Sequence, residues 1–339
     1  MTDESPTRRA VASGVGSMPG EDVHEVVRVV LGELPDQPHL PELPARGVTA
    51  GMTARALAVV ADLGFDLQPA GWRLTDAPGV DHRRARSLLA EDLDALEEHA
   101  GSAEPGHELK VQVAGPWTLA ATVERPRGDR VLADHGARRE LAQALAEGLK
   151  VHVADVRRRL PGASVLVQVD EPALPAVLAA RVPTASGFGR HRSVDRPAAS
   201  EALEWVFAAI TESGATPVAH CCAGDVPISL LRGAGARGVS VDLEVLEAAG
   251  YDELGAALDE GDRVFLGVVP AVAPAHVPTE KQVVERVLRL LDMLGFDPDE
   301  IAGRLVLTPA CGLAGTSTSY AREALALVRA SASRLDSGG

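Results

Sequence analysis

The strongest constraint on the fold is an alternation. Short runs of β-branched or apolar residues recur along the chain, separated by long Ala/Leu/Glu/Arg-rich stretches of helical period. This is the pattern of repeated βα units. The runs fall at about 12–17, 64–69, 109–114, 164–169, 216–220, 238–243, 263–269 and 304–309. The most convincing helical stretches are about 136–159, 198–213, 279–295 and 317–333. Eight strands with crossover helices predict a (β/α)8 TIM barrel, and 339 residues suit one such domain, with an ordered core over about 10–330. Two long irregular stretches interrupt the pattern. The proline-rich LPDQPHLPELPARG at 34–47 is expected to form an extended excursion over the barrel after the first helix, with a place from which His39 can reach the mouth. A second long loop is expected at 180–198.

Composition narrows the function. A net charge of −15 gives no cationic face for a phosphate backbone, so nucleic acid is not an expected partner. Aromatic residues make up only 3% of the chain, which leaves few stacking platforms for bases. The N-terminal MTDESPTRRAVASG has no apolar run after its charges, and no window approaches a membrane span. The expectation is a soluble, cytoplasmic protein. In that reducing setting three cysteines do not suggest a disulfide framework.

In a barrel of this kind, chemistry collects where the strands end. The expected ends carry Ser17, Gln68, Asp170 with Glu171, His220 with Cys222, Asp242 with Glu244, and Cys311. In an extended AHCC, His220 and Cys222 point to one face and Cys221 to the other. That pair can grip one ion. Cys311 and an acid after the sixth expected strand, Asp242 or Glu244, would complete a tetrahedral zinc set. The plain alternative is that the cysteines are small core residues. A thiol–disulfide pair has less support, because no C-x-x-C is present. LVQVDEPAL delivers two adjacent acids from a buried strand, and a buried acid calls for a partner such as a substrate amino group. Helix capping by Asp170 is the competing explanation. GVGSMPG offers a hydroxyl and exposed amides where a carboxylate could dock, although tight-turn chemistry explains its glycines equally well.

Taken in order, VGSMP, VAGPWTL, QVDEPAL, AHCCAG and LTPACGLAG resemble the catalytic domain of cobalamin-independent methionine synthase, over about residues 10–330. The resemblance implies a zinc-dependent methyltransferase, in which zinc binds the thiol of homocysteine and a methyl group is passed to it to give methionine. His220, Cys222 and Cys311 are then the implied zinc ligands. The family's acidic ligand is a glutamate, which the count from His-x-Cys puts at Glu244 and the strand pattern puts at Asp242. Asp170, with Glu171 beside it, would hold the substrate amine, and Ser17 the carboxylate. Where the family's second strand offers a glutamate to the amine, this chain offers Gln68. The family's catalytic histidine after strand seven meets Val272, with His276 four residues on as the candidate replacement. Thr122 stands at or near the place of the family's folate-stacking aromatic. The implied methyl donor is a corrinoid protein or a methyl-folate. The rival readings are a zinc-dependent alkyl transferase or lyase acting on another small thiol, and a noncatalytic zinc or substrate-binding barrel.

Overall fold

The structure, a computed structural model, describes residues 9–101 and 107–335; most of the N-terminal stretch read for a secretory signal lies outside them. Nine strands are present among the described residues: β1 (Val11–Ala12), β2 (Gly64–Gln68), β3 (Gly71–Thr75), β4 (Glu108–Ala114), β5 (Ser164–Asp170), β6 (Thr216–Cys221), β7 (Gly238–Asp242), β8 (Arg263–Val269) and β9 (Leu305–Pro309). Seven form one sheet in the order β1-β9-β8-β7-β6-β5-β4, and every neighbouring pair is parallel. The four expected helices are found as His135–Arg159, Arg196–Glu212, Glu280–Leu294 and Thr318–Leu335. Asp134, Asp195 and Thr279 cap the first three by accepting from backbone N–H groups of the first turn.

Two expectations need correction. The run at 64–69 is not a barrel strand: β2 folds back on β3 as an antiparallel hairpin, with Gly64 opposite Thr75 and Gln68 opposite Gly71. The barrel position between β1 and β4 is taken instead by the proline-rich segment, which is therefore part of the wall and not an excursion over it. The Leu40 N–H donates to the Lys110 carbonyl at 2.9 Å, and the Lys110 N–H to the Pro38 carbonyl at 2.9 Å. On the other side the Glu42 N–H donates to the Gly16 carbonyl at 3.1 Å, and the Met18 N–H to the Glu42 carbonyl at 2.9 Å. Both edges of the seven-stranded sheet are thus joined through residues 38–42, which curls the sheet as in a TIM barrel. Pro41 stands between the two bonded stretches, where no donor is needed. His39 does not reach the mouth. It is buried in the wall, so close to Gly14 that a Cβ there would lie 2.2 Å from the imidazole.

Two cores follow from this closure. A large Ala/Val/Leu core lies between sheet and helices. A small separate cluster, Leu166, Val218, Phe265 and Val306 with Val11 against it, brings together residues of β5, β6, β8, β9 and β1 inside the ring. On the side of this cluster where the strands begin, Glu108 binds Arg263 at 2.7 Å and accepts from Gln37 at 2.6 Å. Towards the strand ends the interior turns polar. Phe265 is fully buried at the centre of the plug, so Phe265→Ala should lower the unfolding free energy by about 3–5 kcal/mol in urea titration.

Candidate metal centre and substrate cavity

The strand register sets the site. Asp170 of β5 lies opposite His220 of β6, and His220 opposite Ser240 of β7. The Ser240 hydroxyl is 2.9 Å from His220 Nδ1, which leaves Nε2 for another partner. Cys222 follows β6 by one residue and Cys311 follows β9 by two, and their Sγ atoms are 3.4 Å apart. The ligand atoms of His220, Cys222 and Cys311 all lie within 4.8 Å of one another. Alternation sends Cys221 the other way, into the core between sheet and helices, where burial pushes its thiol up to about 12. Cys311 is pulled down, chiefly by the hydrogen bond with Cys222 and then by His220, while Cys222 is raised by the same contact.

The two candidate acids after β7 are placed differently. Asp242 is half-buried, its carboxyl raised by burial, and it interacts electrostatically with Cys311. Glu244 is exposed, and its backbone N–H donates to Asp242 Oδ1 at 2.9 Å. Neither carboxylate joins the compact His220–Cys222–Cys311 group.

Beside the sulfurs opens a cavity of about 290 Å³, lined in part by Ser17, Glu42, Met52, Gln112, Asp170 and Gly312. Gly312 is required there, since a Cβ would fall 2.1 Å from Ser17 Oγ. Its neighbour Leu313 donates its N–H to the Ser17 carbonyl at 2.7 Å, so the loops after β1 and β9 are locked together. Burial pushes Asp170 up to about 7. A polar chain supports it: Gln168 Nε2 donates to Asp170 Oδ1 at 2.7 Å, and Lys110 Nζ donates to Gln168 Oε1 at 2.7 Å and to the Val15 carbonyl at 2.8 Å. Lys110 is wholly buried, which lowers it to about 8. Glu42 faces the same cavity from the closing segment, with Arg55 Nε 3.3 Å from its carboxylate.

Ser17, Asp170, His220, Cys222 and Cys311 are thus brought to one cavity, and Asp242 is near enough to interact electrostatically with Cys311. Besides the exposed Glu244, three other candidates are elsewhere. Glu171 is fully buried and accepts from the Trp117 N–H at 2.9 Å, the Thr118 N–H at 2.7 Å and the Thr118 hydroxyl at 2.7 Å. It caps helix Pro116–Thr122, which has no side-chain cap of its own. Gln68 sits on the β2–β3 hairpin and donates to Asp66 at 2.8 Å. His276 is exposed in the loop after β8 and lines a separate cavity. Sequence reasoning missed Glu42, because the segment that carries it was read as an excursion over the barrel and not as part of its wall. It also missed Lys110 and Gln112, whose signal was present as polar residues at alternate positions of an otherwise apolar strand.

Residues 90–334 match the family described as the catalytic domain of cobalamin-independent synthase. The chain belongs to that family. Among solved structures, a B12-independent methionine synthase from Shewanella sp. W3-18-1 in complex with selenomethionine is similar in fold. It superposes with a TM-score of 0.64 at 14% identity, over 97% of this chain and 98% of that one. A D-psicose 3-epimerase in the presence of D-fructose (TM-score 0.48, 10% identity, 96% of this chain and 100% of that one) is a more distant match. So is a β-mannanase from the blue mussel Mytilus edulis (0.48, 10%, 94% and 92%). Comparison with curated protein sequences gives no match. Among the described residues no helix is long and apolar enough to cross a membrane.

The role found for Glu171 can be checked by stability. Glu171→Gln places an amide NH2 against N–H donors and should cost about 1–3 kcal/mol in chemical denaturation.

Proposed function

We propose that the chain is a zinc-dependent methyltransferase that methylates the thiol of homocysteine to give methionine. The observation that carries this reading is the convergence of His220, Cys222 and Cys311 beside a cavity that also holds two carboxylates, Glu42 and Asp170.

The donor set fits zinc. Two sulfurs on a tetrahedral centre with Zn–S of about 2.3 Å would sit roughly 3.8 Å apart, close to the 3.4 Å of Cys222 and Cys311. His220 has Nδ1 anchored on Ser240 and also bonds Cys311, the arrangement expected of an imidazole that shares a metal with that sulfur. Asp242, half-buried where Glu244 is exposed, is the better placed of the two acids to serve as a ligand. Bound there, zinc would supply the Lewis acidity that holds a coordinated thiol as thiolate at neutral pH.

The chain's own side chains orient the substrate. Glu42 and Asp170 offer carboxylate oxygens to an ammonium group, so the glutamate that the family resemblance sought at Gln68 is supplied by the closing segment instead. Gln168 fixes Asp170 Oδ1 as an acceptor, and Lys110 fixes the orientation of Gln168. Ser17, beside Gly312, offers its hydroxyl to the substrate carboxylate. The apolar side of Met52 and Pro44 limits water around the sulfur. His276 lies in a different cavity and is not assigned a proton-transfer role.

Two measurements test the reading. The purified protein should carry about one zinc per chain by elemental analysis, and Cys311→Ser should lose it; zinc retained in the variant would remove the metal centre from these residues. In methyl-transfer assays offering methylcobalamin or methyl-folate, Asp170→Asn should raise KM for homocysteine about 10- to 100-fold, the worth of one charged hydrogen bond. An unchanged homocysteine dependence would defeat the amine-binding role.

A further inference from the structure

The loop after β8 and the helix Glu280–Leu294 enclose a second cavity of about 350 Å³, whose lining includes Pro270, His276, Gln282, Arg286 and Arg289. No carboxylate lines it. Gln282, Arg286 and Arg289 stand at helical spacing on one face of the helix. Elsewhere the chain pairs arginines readily: Arg159, Arg232 and Arg263 each bind carboxylates at 2.6–2.9 Å. Neither guanidinium of the cavity makes an ion pair or hydrogen bond among the described residues, although the charge of Arg286 reaches Asp242. In a chain of 48 acidic and 33 basic residues, two arginines and a histidine thus converge on one hollow that no carboxylate lines.

The position is equally specific. β8 lies between β7, which ends at Asp242, and β9, which leads to Cys311. Val268 near its end and Pro270 after it line the cavity, and the charge of Arg286 reaches Asp242, so the hollow lies on the Asp242 side of the sulfur site. Guanidinium forks match phosphate and carboxylate oxygens, and an imidazole can donate a further hydrogen bond.

We propose that His276, Gln282, Arg286 and Arg289 form a binding site for a small, multiply charged anion bearing phosphate or carboxylate groups. If the function proposed above holds, the ligand is the anionic part of the methyl donor, held beside the thiol that receives the methyl group. Anion binding itself does not depend on that reading.

The test is made on the Cys311→Ser protein, in which the sulfur site is disabled. It is titrated calorimetrically at low ionic strength with inorganic pyrophosphate and with citrate, then compared with the same protein carrying Arg286→Ala and Arg289→Ala. Saturable one-site binding is expected, weakened at least tenfold by the paired substitution and also by added salt. Preference for pyrophosphate would identify a phosphate-bearing ligand, and preference for citrate a carboxylate-bearing one. A charge-retaining Arg286→Lys and Arg289→Lys pair should keep most of the affinity, which separates loss of charge from loss of fold. Absence of saturation with both anions, or equal binding by the alanine variant, would overturn the site. Neither result bears on zinc content or homocysteine dependence, so the two readings can fail separately.

Discussion

Four backbone hydrogen bonds, two at Lys110 and two between Gly16, Met18 and Glu42, join the edges of the sheet through residues 38–42. Everything else about the site depends on them. An open parallel sheet would leave β1 and β4 as unpaired edges and its inner face in water. Joined, it encloses an apolar plug at mid-height and a polar layer above, where low exposure strengthens each electrostatic contact. The same segment carries Glu42 to the cavity, so closure of the wall and completion of the pocket are one event.

The polar layer is costly by construction. Lys110, Gln168, Asp170, Glu42 and His220 are all buried, and a buried charge persists only if its partners are in place. Here the partners form a connected set. Lys110 is bonded to Gln168 and to the Val15 carbonyl, Gln168 to Asp170, and Glu42 contacts Arg55, which pairs in turn with Asp92. Burial and the neighbouring Glu42 push the Asp170 carboxyl up, and His220, Gln168 and Lys110 offset them in part.

Much of this was legible in the residue pattern. Strand alternation separated Cys221 from His220 and Cys222, and the same rule applied to strand ends gathered the sulfurs with Ser17 and Asp170. The failures have physical causes. GFDLQP has the composition of a barrel strand, but periodicity carries no information about which strand it will pair with, and β3 seven residues on supplied a local partner. The proline-rich segment was read as an extended excursion over the barrel, yet only Leu40 and Glu42 need to donate for it to serve as wall. Glu171 was grouped with Asp170 on adjacency alone, although neighbouring residues in a strand face opposite sides.

The locked pair of loops at Ser17 and Gly312 has a consequence for assembly. Residue 17 and residues 312–313 lie at opposite extremes of the described chain, yet their contact frames the cavity and seats Cys311 beside Cys222. Contacts this far apart in sequence carry a large loop-closure entropy and form late. During synthesis, His220 and Cys222 are made long before the strand that delivers the second sulfur. A nascent chain therefore holds only His220 and Cys222 of the three-residue group, and Cys311 joins them when β9 pairs with β1. Gathering of the two sulfurs and closure of that side of the barrel then belong to one step of assembly.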